Sequence, residues 1–275
     1  MKNKKTILTS SKGLLIGSSM LVPGVSGGTM AIILGIYDEL ISSINNFFKD
    51  FKKSFFFLMQ FCIGAGIGFV LFAKLISTAL DKYELPMMYL FIGAILGGIP
   101  LLIKQTEIKK DNKKQILFGA IAGLLGLALV VFLDKMPKSS FEFDANITPK
   151  LLAMQVITGF IIAIALVLPG ISTSHMLLVL GMYPAFLLAL ENPFDNILFL
   201  GFLGISVVIG VFVITRPLEL AMKKYPQITY CAIIGFVAGS VITVFPGFPT
   251  GIEILICAIT LALGCLAINR ITKVS

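Results

Sequence analysis

Charge is scarce in this chain: of 275 residues only 13% are Asp, Glu, Lys or Arg, while 57% are hydrophobic. That balance excludes an ordinary soluble domain and calls for an all-α integral membrane protein. Histidine is nearly absent, with His175 alone, and the four cysteines (Cys62, Cys231, Cys257, Cys265) lie in apolar stretches without CxxC spacing. Disulfide frameworks and metal centres are therefore not expected, and reduced core thiols are. No GxxxxGK[ST] phrase occurs, which excludes a P-loop, and nothing calls for a cofactor. Lys and Arg outnumber Asp and Glu by 22 to 14, yet no nucleic-acid recognition motif accompanies the excess. The cations sit mostly in short loops beside apolar runs, where they orient the chain in a bilayer. Lys2, Lys4 and Lys5 before an apolar run imitate a signal peptide. That run is broken at Pro23-Gly24 without a small-residue cleavage site, so it is expected to stay.

What the chain does contain is one unusual phrase written twice. LVPGVSGGTMAIILGIY (Leu21 to Tyr37) returns as VLPGISTSHMLLVLGMY (Val167 to Tyr183). Further matches follow in order: Gly68 with Gly210, Lys74 with Arg216, Tyr83 with Tyr225, and Gly93-x3-Gly97 with Gly235-x3-Gly239. The chain divides into a first repeat over 1–140 and a second over 141–275. Apolar spans are expected at 55–80, 86–103 and 115–133, and again at 197–221, 228–246 and 251–268. The motif segments, 13–46 and 151–190, are too long and too broken for single spans.

Loop charge sets the topology. The N-terminal tail and Lys49 to Lys53 are both basic, so segment 13–46 leaves and re-enters on the cytoplasmic side, as a re-entrant hairpin with Pro23 to Thr29 at its tip. Lys104 to Lys114, Lys223-Lys224 and Asn269 to Lys273 also fall inside, while Glu191 to Asp195 suits the outside, so segment 151–190 is a second re-entrant hairpin, entering from the external face. Both termini are then cytoplasmic. Each half has three crossings, and an odd number inverts the second repeat relative to the first. Reading each motif segment as two full spans preserves that parity, with ten crossings in place of six.

Proline lacks an amide donor and glycine tolerates positive φ, so each motif ends a helix inside apolar surroundings. Lipid forbids unpaired backbone, and such breaks persist only where protein or a cavity covers them. Paired breaks in matching halves point to a transport site. Ser and Thr are expected to cap the helix that restarts after each break, offering amides and hydroxyls to an anion. The candidate substrate-binding residues are Ser26, Gly27, Gly28, Thr29, Ser172, Thr173, Ser174 and His175. Lys74 and Arg216 are candidate headgroup cations, with snorkelling to the interface as the alternative. Asp38, Glu39 and His175 are candidate proton carriers, and solvated helix ends or a packed histidine are the bland readings. The glycine rows, Gly64-x-Gly66-x-Gly68 and Gly119-x3-Gly123 among them, are expected to let helices approach closely.

PGVSGGTMAIILGIYDELI, PGISTSHMLLVLGMY and DKYELPMMYLFIGAILGG together resemble a bacterial family of polyprenyl-phosphate (undecaprenyl-phosphate) translocases, long catalogued as a domain of unknown function. The resemblance spans nearly the whole chain. It implies a cytoplasmic-membrane protein that returns the lipid carrier from the outer to the inner leaflet for cell-envelope synthesis, with polyprenyl phosphate and membrane lipids as its partners. Thr173 and His175 depart from the pattern, so a headgroup role for His175 rests on position. One rival is a membrane polyprenyl-diphosphate phosphatase. Such enzymes carry a PG-x-S phrase followed by a phosphate-gripping Arg and an acidic EXXXE-type pair. Here Gly27 and Thr173 follow the serines, and no such acidic pair lies in the spans. A second rival is a secondary transporter of a soluble anion. A purely structural protein has no use for two buried breaks.

Overall fold

A computed structural model describes residues 2–20, 25–106, 113–137, 149–191 and 194–274. Pro23 and Gly24, the loop centres at 107–112 and 138–148, and Asn192-Pro193 lie outside the described residues. The first half forms α1 (Lys2–Ser19), α2 (Gly27–Ile33), α3 (Tyr37–Asn45), α4 (Phe51–Lys82), α5 (Glu84–Gln105) and α6 (Lys113–Asp134). The second forms α7 (Pro149–Val167), α8 (Thr173–Val179), α9 (Tyr183–Glu191), α10 (Ile197–Lys224), α11 (Pro226–Val244) and α12 (Glu253–Val274). Six of these, α4 to α6 and α10 to α12, are long and apolar enough to cross a membrane. They coincide with the six expected spans to within a few residues at each end. The chain is an all-α, multi-spanning membrane protein. Its outward faces carry residues such as Val70 (77% exposed) and Leu124 (67%), which lipid accommodates and water does not.

The halves repeat in detail as well as in order. Tyr83 (φ −138°, ψ 50°) separates α4 from α5, and Tyr225 (φ −132°, ψ 56°) separates α10 from α11. Each donates its N–H to an alanine carbonyl, Ala79 or Ala221, at 2.8 Å. The motif segments hold one break more than the sequence pattern indicated. After the seven-residue α2, Gly35 (φ 63°) turns the chain, and Gly181 (φ 73°) does the same after α8. Gly35 N–H bonds Ile32 O and Ile36 N–H bonds Ala31 O; Gly181 to Leu178 and Met182 to Leu177 repeat the pattern. This is the Schellman ending, which needs a residue at positive φ and so selects glycine. It throws α3 off α2 by 114°.

Glycines set the register of the long helices. A Cβ on Gly13 or Gly17 would strike the Phe61 or Ala65 carbonyl, so α1 lies beside α4 with both running the same way. In the second half Gly159 meets Ser206 and Gly210 meets Ala163, giving the same arrangement of α7 and α10. The remaining pairs cross between halves. Gly93 and Gly97 of α5 abut Leu261 and Cys265 of α12, while Gly235 and Gly239 of α11 abut Gly123 and Leu127 of α6. At Gly93, Gly97 and Gly235 the contact is with facing backbone and at Gly239 first with the Val130 side chain, the close approach that small residues permit inside a membrane. Gly66 meets nothing and takes no part. The core lies where α2, α5 and α11 converge, around Ile33, Ile95, Ile233 and Val237, each at most 1% exposed.

Candidate functional site

Both motifs restart a helix in the expected way. Ser26 (φ −86°, ψ 134°) precedes α2 and Ser172 (φ −81°, ψ 123°) precedes α8, each extended as an N-cap residue should be. Their side chains then part company. Ser172 Oγ accepts the His175 N–H at 3.4 Å, completing the cap. Ser26 makes no side-chain cap bond, contrary to the expectation for both copies. Its hydroxyl is nearly buried (5% exposed) and borders a cavity instead. Both restarted helices are a single seven-residue piece, so the dipole contribution expected from them is small.

The two motifs touch. Gly170 (φ 83°) donates its N–H to Thr29 Oγ1 at 2.8 Å, and Thr29 is fully buried. Gly28 lies against Pro169 and the Leu166 carbonyl, which stand 3.3 and 3.4 Å from where a Cβ would be. Tyr37 Oη donates to the Val167 carbonyl at 2.6 Å, satisfying an acceptor at the end of α7. The backbone groups freed by the second break are thus answered by side chains of the first repeat, which is how a break survives away from water.

Two cavities flank this crossing. One, of about 520 Å³, is bordered by Ser26, Gly27, Ser172, Thr173, Ser174 and His175, together with Asp134 and an apolar wall that includes Met20 and Met88. Among the described residues that line it there is no Lys or Arg. His175 Nε2 lies 3.1 Å from the Leu133 carbonyl; a carbonyl only accepts, so Nε2 carries the proton in that bond. The other cavity, of about 1040 Å³, takes Thr6 and Thr9 from α1, Asp38 and Glu39 from α3, Lys52 and Lys53 from α4, and Tyr230 from α11. Helix α11 runs from one to the other: Tyr230, near its start, borders the large cavity, while Thr243 and Val244 at its end border the small one. At 1.5 Å per residue the two lie about 20 Å apart along that helix.

The site residues read from sequence therefore fall into three groups. Ser26, Gly27 and Ser172 to His175 share the small cavity, and Gly28 and Thr29 form the crossing itself. Asp38 and Glu39 border the large cavity, on the far side of the crossing from His175. Lys74 and Arg216 are exposed and border neither cavity. Sequence reasoning missed the polar cluster around the large cavity. Tyr230 Oη donates to both Asp38 carboxylate oxygens at 3.2 and 3.3 Å. Asn45 bridges α3 to α10: its Nδ2 donates to Glu219 Oε2 (2.6 Å) and the Thr215 carbonyl (3.1 Å), and its Oδ1 accepts from Thr215 Oγ1 (2.8 Å). Lys223 holds the other Glu219 oxygen at 2.6 Å. Lys12, 7% exposed on α1, lies within the field of Glu39. Carboxylates at the ends of apolar runs, such as Glu219, were the available signal.

Comparison with known proteins adds a family. A family model described as undecaprenyl phosphate translocase-like matches residues 16–257. A polyprenyl-phosphate transporter of Staphylococcus aureus is 33% identical over 246 residues, covering 88% of this chain and 87% of that protein. A polyprenyl-phosphate transporter of Vibrio cholerae is 30% identical over 259 residues, covering 89% and 79%. An undecaprenyl-diphosphatase of Clostridium tetani is 23% identical over 92 residues, about a third of each chain. No solved structure gives a significant match.

Proposed function

The chain belongs to the undecaprenyl phosphate translocase-like family, and on that premise we propose that it carries polyprenyl phosphate from the outer to the inner leaflet of the bacterial cytoplasmic membrane. It is a transporter and not an enzyme, as are the two relatives that span most of its length. The phosphatase likeness covers only a third of it, and Gly27 and Thr173 stand where a phosphate-gripping Arg would. The observation that carries the transport reading is the crossing of the two motifs between cavities at opposite ends of the bundle. One cavity admits the headgroup from each side, and the Thr29–Gly170 contact separates them. The isoprenoid tail stays in lipid, against the apolar outer faces.

On this reading the halves are inverted repeats and each motif segment is re-entrant. The helix register supports the inversion. Helix α5 runs with α12 and α6 runs with α11. If each helix of the consecutive pairs α5–α6 and α11–α12 reverses the last, the equivalent helices α5 and α11 run in opposite directions. Loop charge then puts both termini and the large cavity, with Lys52, Lys53 and Lys223, on the cytoplasmic side. The small cavity opens outward. Its phosphate contacts are hydroxyls and amides of Ser26, Gly27, Ser172, Thr173 and Ser174, with His175 beside them. Neutral donors bind an anion weakly enough to release it.

Inward movement of an anion opposes an inside-negative potential, at about 2.3 kcal/mol per charge per 100 mV. Protons carried with it offset that cost. His175 on the outer side and Asp38 and Glu39 on the inner side are the carriers we propose. In proteoliposomes loaded with a fluorescent short-chain polyprenyl phosphate, Ser26→Ala with Ser172→Ala is expected to slow translocation about tenfold or more, from the loss of two hydrogen bonds to a charged group. A rate equal to wild type would remove the motif cavity from the path. Indifference of the wild-type rate to an imposed pH gradient would remove proton coupling alone.

A further inference from the structure

We propose that the large cavity is itself a second anion site, which receives the phosphate monoester of a lipid on Lys52 and Lys53. The naming of a lipid rests on the transport reading above; the anion site does not. Three carboxylates face the cavity, and each already has company inside the protein. Glu219 is held by Lys223 and Asn45, both at 2.6 Å. Asp38 accepts from Tyr230 Oη at 3.2 Å and from Gln105 Nε2 at 3.5 Å. Glu39 lies within the field of the buried Lys12.

The cations on the α4 wall have no such company. Lys52 and Lys53 border the cavity and make neither a hydrogen bond nor an ion pair among the described residues. They also stand in the first turn of a 32-residue helix, whose first turn has no acidic residue and whose Asp50 cap makes no side-chain bond. A helix start carries partial positive charge, so two lysines there add to a field that the single carboxylate of Asp50 offsets only in part. Phe56 and Phe57, one turn further along α4, give the cavity apolar lining. A cavity lined by a cation pair and by aromatic rings suits a phosphate attached to a hydrocarbon chain better than a free ion. Two adjacent lysines also favour a monoester, which carries up to two charges, over a phosphodiester headgroup with one. Among the described residues the motif cavity has no cation in its lining and this one has two unengaged, so the anion meets a stronger site after the crossing than before it.

The test uses the full chain in phosphatidylcholine nanodiscs, with farnesyl phosphate, inorganic phosphate and phosphatidylglycerol as separate probes. Lys52→Gln with Lys53→Gln is expected to weaken farnesyl phosphate binding about tenfold, from two charge contacts at a partly exposed site. Lys52→Arg with Lys53→Arg is expected to retain it. Circular dichroism checks that each variant is folded. Binding by the Gln variant within twofold of wild type would overturn the site. Inorganic phosphate binding as tightly as farnesyl phosphate would overturn its assignment to a lipid, and phosphatidylglycerol binding equally well would overturn the preference for a monoester. Should the lysine variant bind normally while the Ser26 and Ser172 variant fails to translocate, this inference falls and the transport reading stands. Should the lysines govern binding in a protein that translocates nothing, the transport reading falls and the anion site stands.

Discussion

Thr29→Val tests the crossing of the two motifs most directly. Valine matches threonine in shape, so packing around α2 is preserved and only the hydroxyl is lost. That hydroxyl accepts the Gly170 N–H at 2.8 Å, and Thr29 is inaccessible to solvent. Gly170 cannot turn its amide elsewhere, because its φ of 83° is imposed by the break and a neighbouring carbonyl, that of Phe236, crowds its Cα. Leaving a buried donor unmatched costs about 1–3 kcal/mol. For a chain of this length that corresponds to a fall in unfolding midpoint of about 2–10 °C. The chain has no tryptophan, so the transition is followed in detergent by circular dichroism. Thr29→Ser keeps an acceptor and is expected to recover most of the loss. Where the crossing must open during transport, the same energy shifts the closed-to-open ratio by about 5- to 150-fold. The Val variant is then expected to leak label between leaflets. A midpoint equal to wild type in Thr29→Val would show that the bond does not hold the motifs together.

Two further outcomes follow from the packing. Gly235→Ala and Gly93→Ala each drive a methyl into a facing carbonyl, of Gly123 and Leu261 respectively. Both are expected to lower the unfolding midpoint by an amount equivalent to about 1–3 kcal/mol. Gly66→Ala, which meets nothing, is expected to be neutral or to stabilise by up to about 1 kcal/mol through helix propensity; equal effects at all three positions would contradict the register of α5 with α12 and α6 with α11. Asn45→Ala removes three hydrogen bonds between α3 and α10, and amide exchange in α3 is expected to quicken by at least about tenfold, for a loss of about 1.4 kcal/mol or more. Unchanged protection there would mean that α3 is held by its apolar contacts alone.

The spans were legible because a long apolar run has few alternatives to a helix across lipid, and all six lie where hydropathy placed them. The breaks at Ser26 and Ser172 were legible for a related reason, since proline and glycine interrupt a helix through local geometry. The second break was written in the same repeated phrase, as Gly35 and Gly181, but a lone glycine among isoleucine and leucine reads equally well as continued helix. Only the Schellman bonds around it decide. The polar cluster of Asn45, Thr215, Glu219, Lys223 and Tyr230 was not legible, because α3 meets α10 and α11 across 170 or more residues of sequence.

By itself the sequence determined a multi-spanning helical protein, its internal repetition and the residue types at its two breaks. Those follow from short-range physics: hydrophobic length, backbone sterics and capping. The tertiary structure decided that the breaks meet, with Thr29 on Gly170 and Tyr37 on Val167, and that the motif hydroxyls and the α4 lysines line separate cavities on either side. Such pairings depend on how α5 and α11 dock their glycine faces on helices of the other half. Side-chain periodicity tells a helix which face is narrow. It does not say whose backbone will fill the groove.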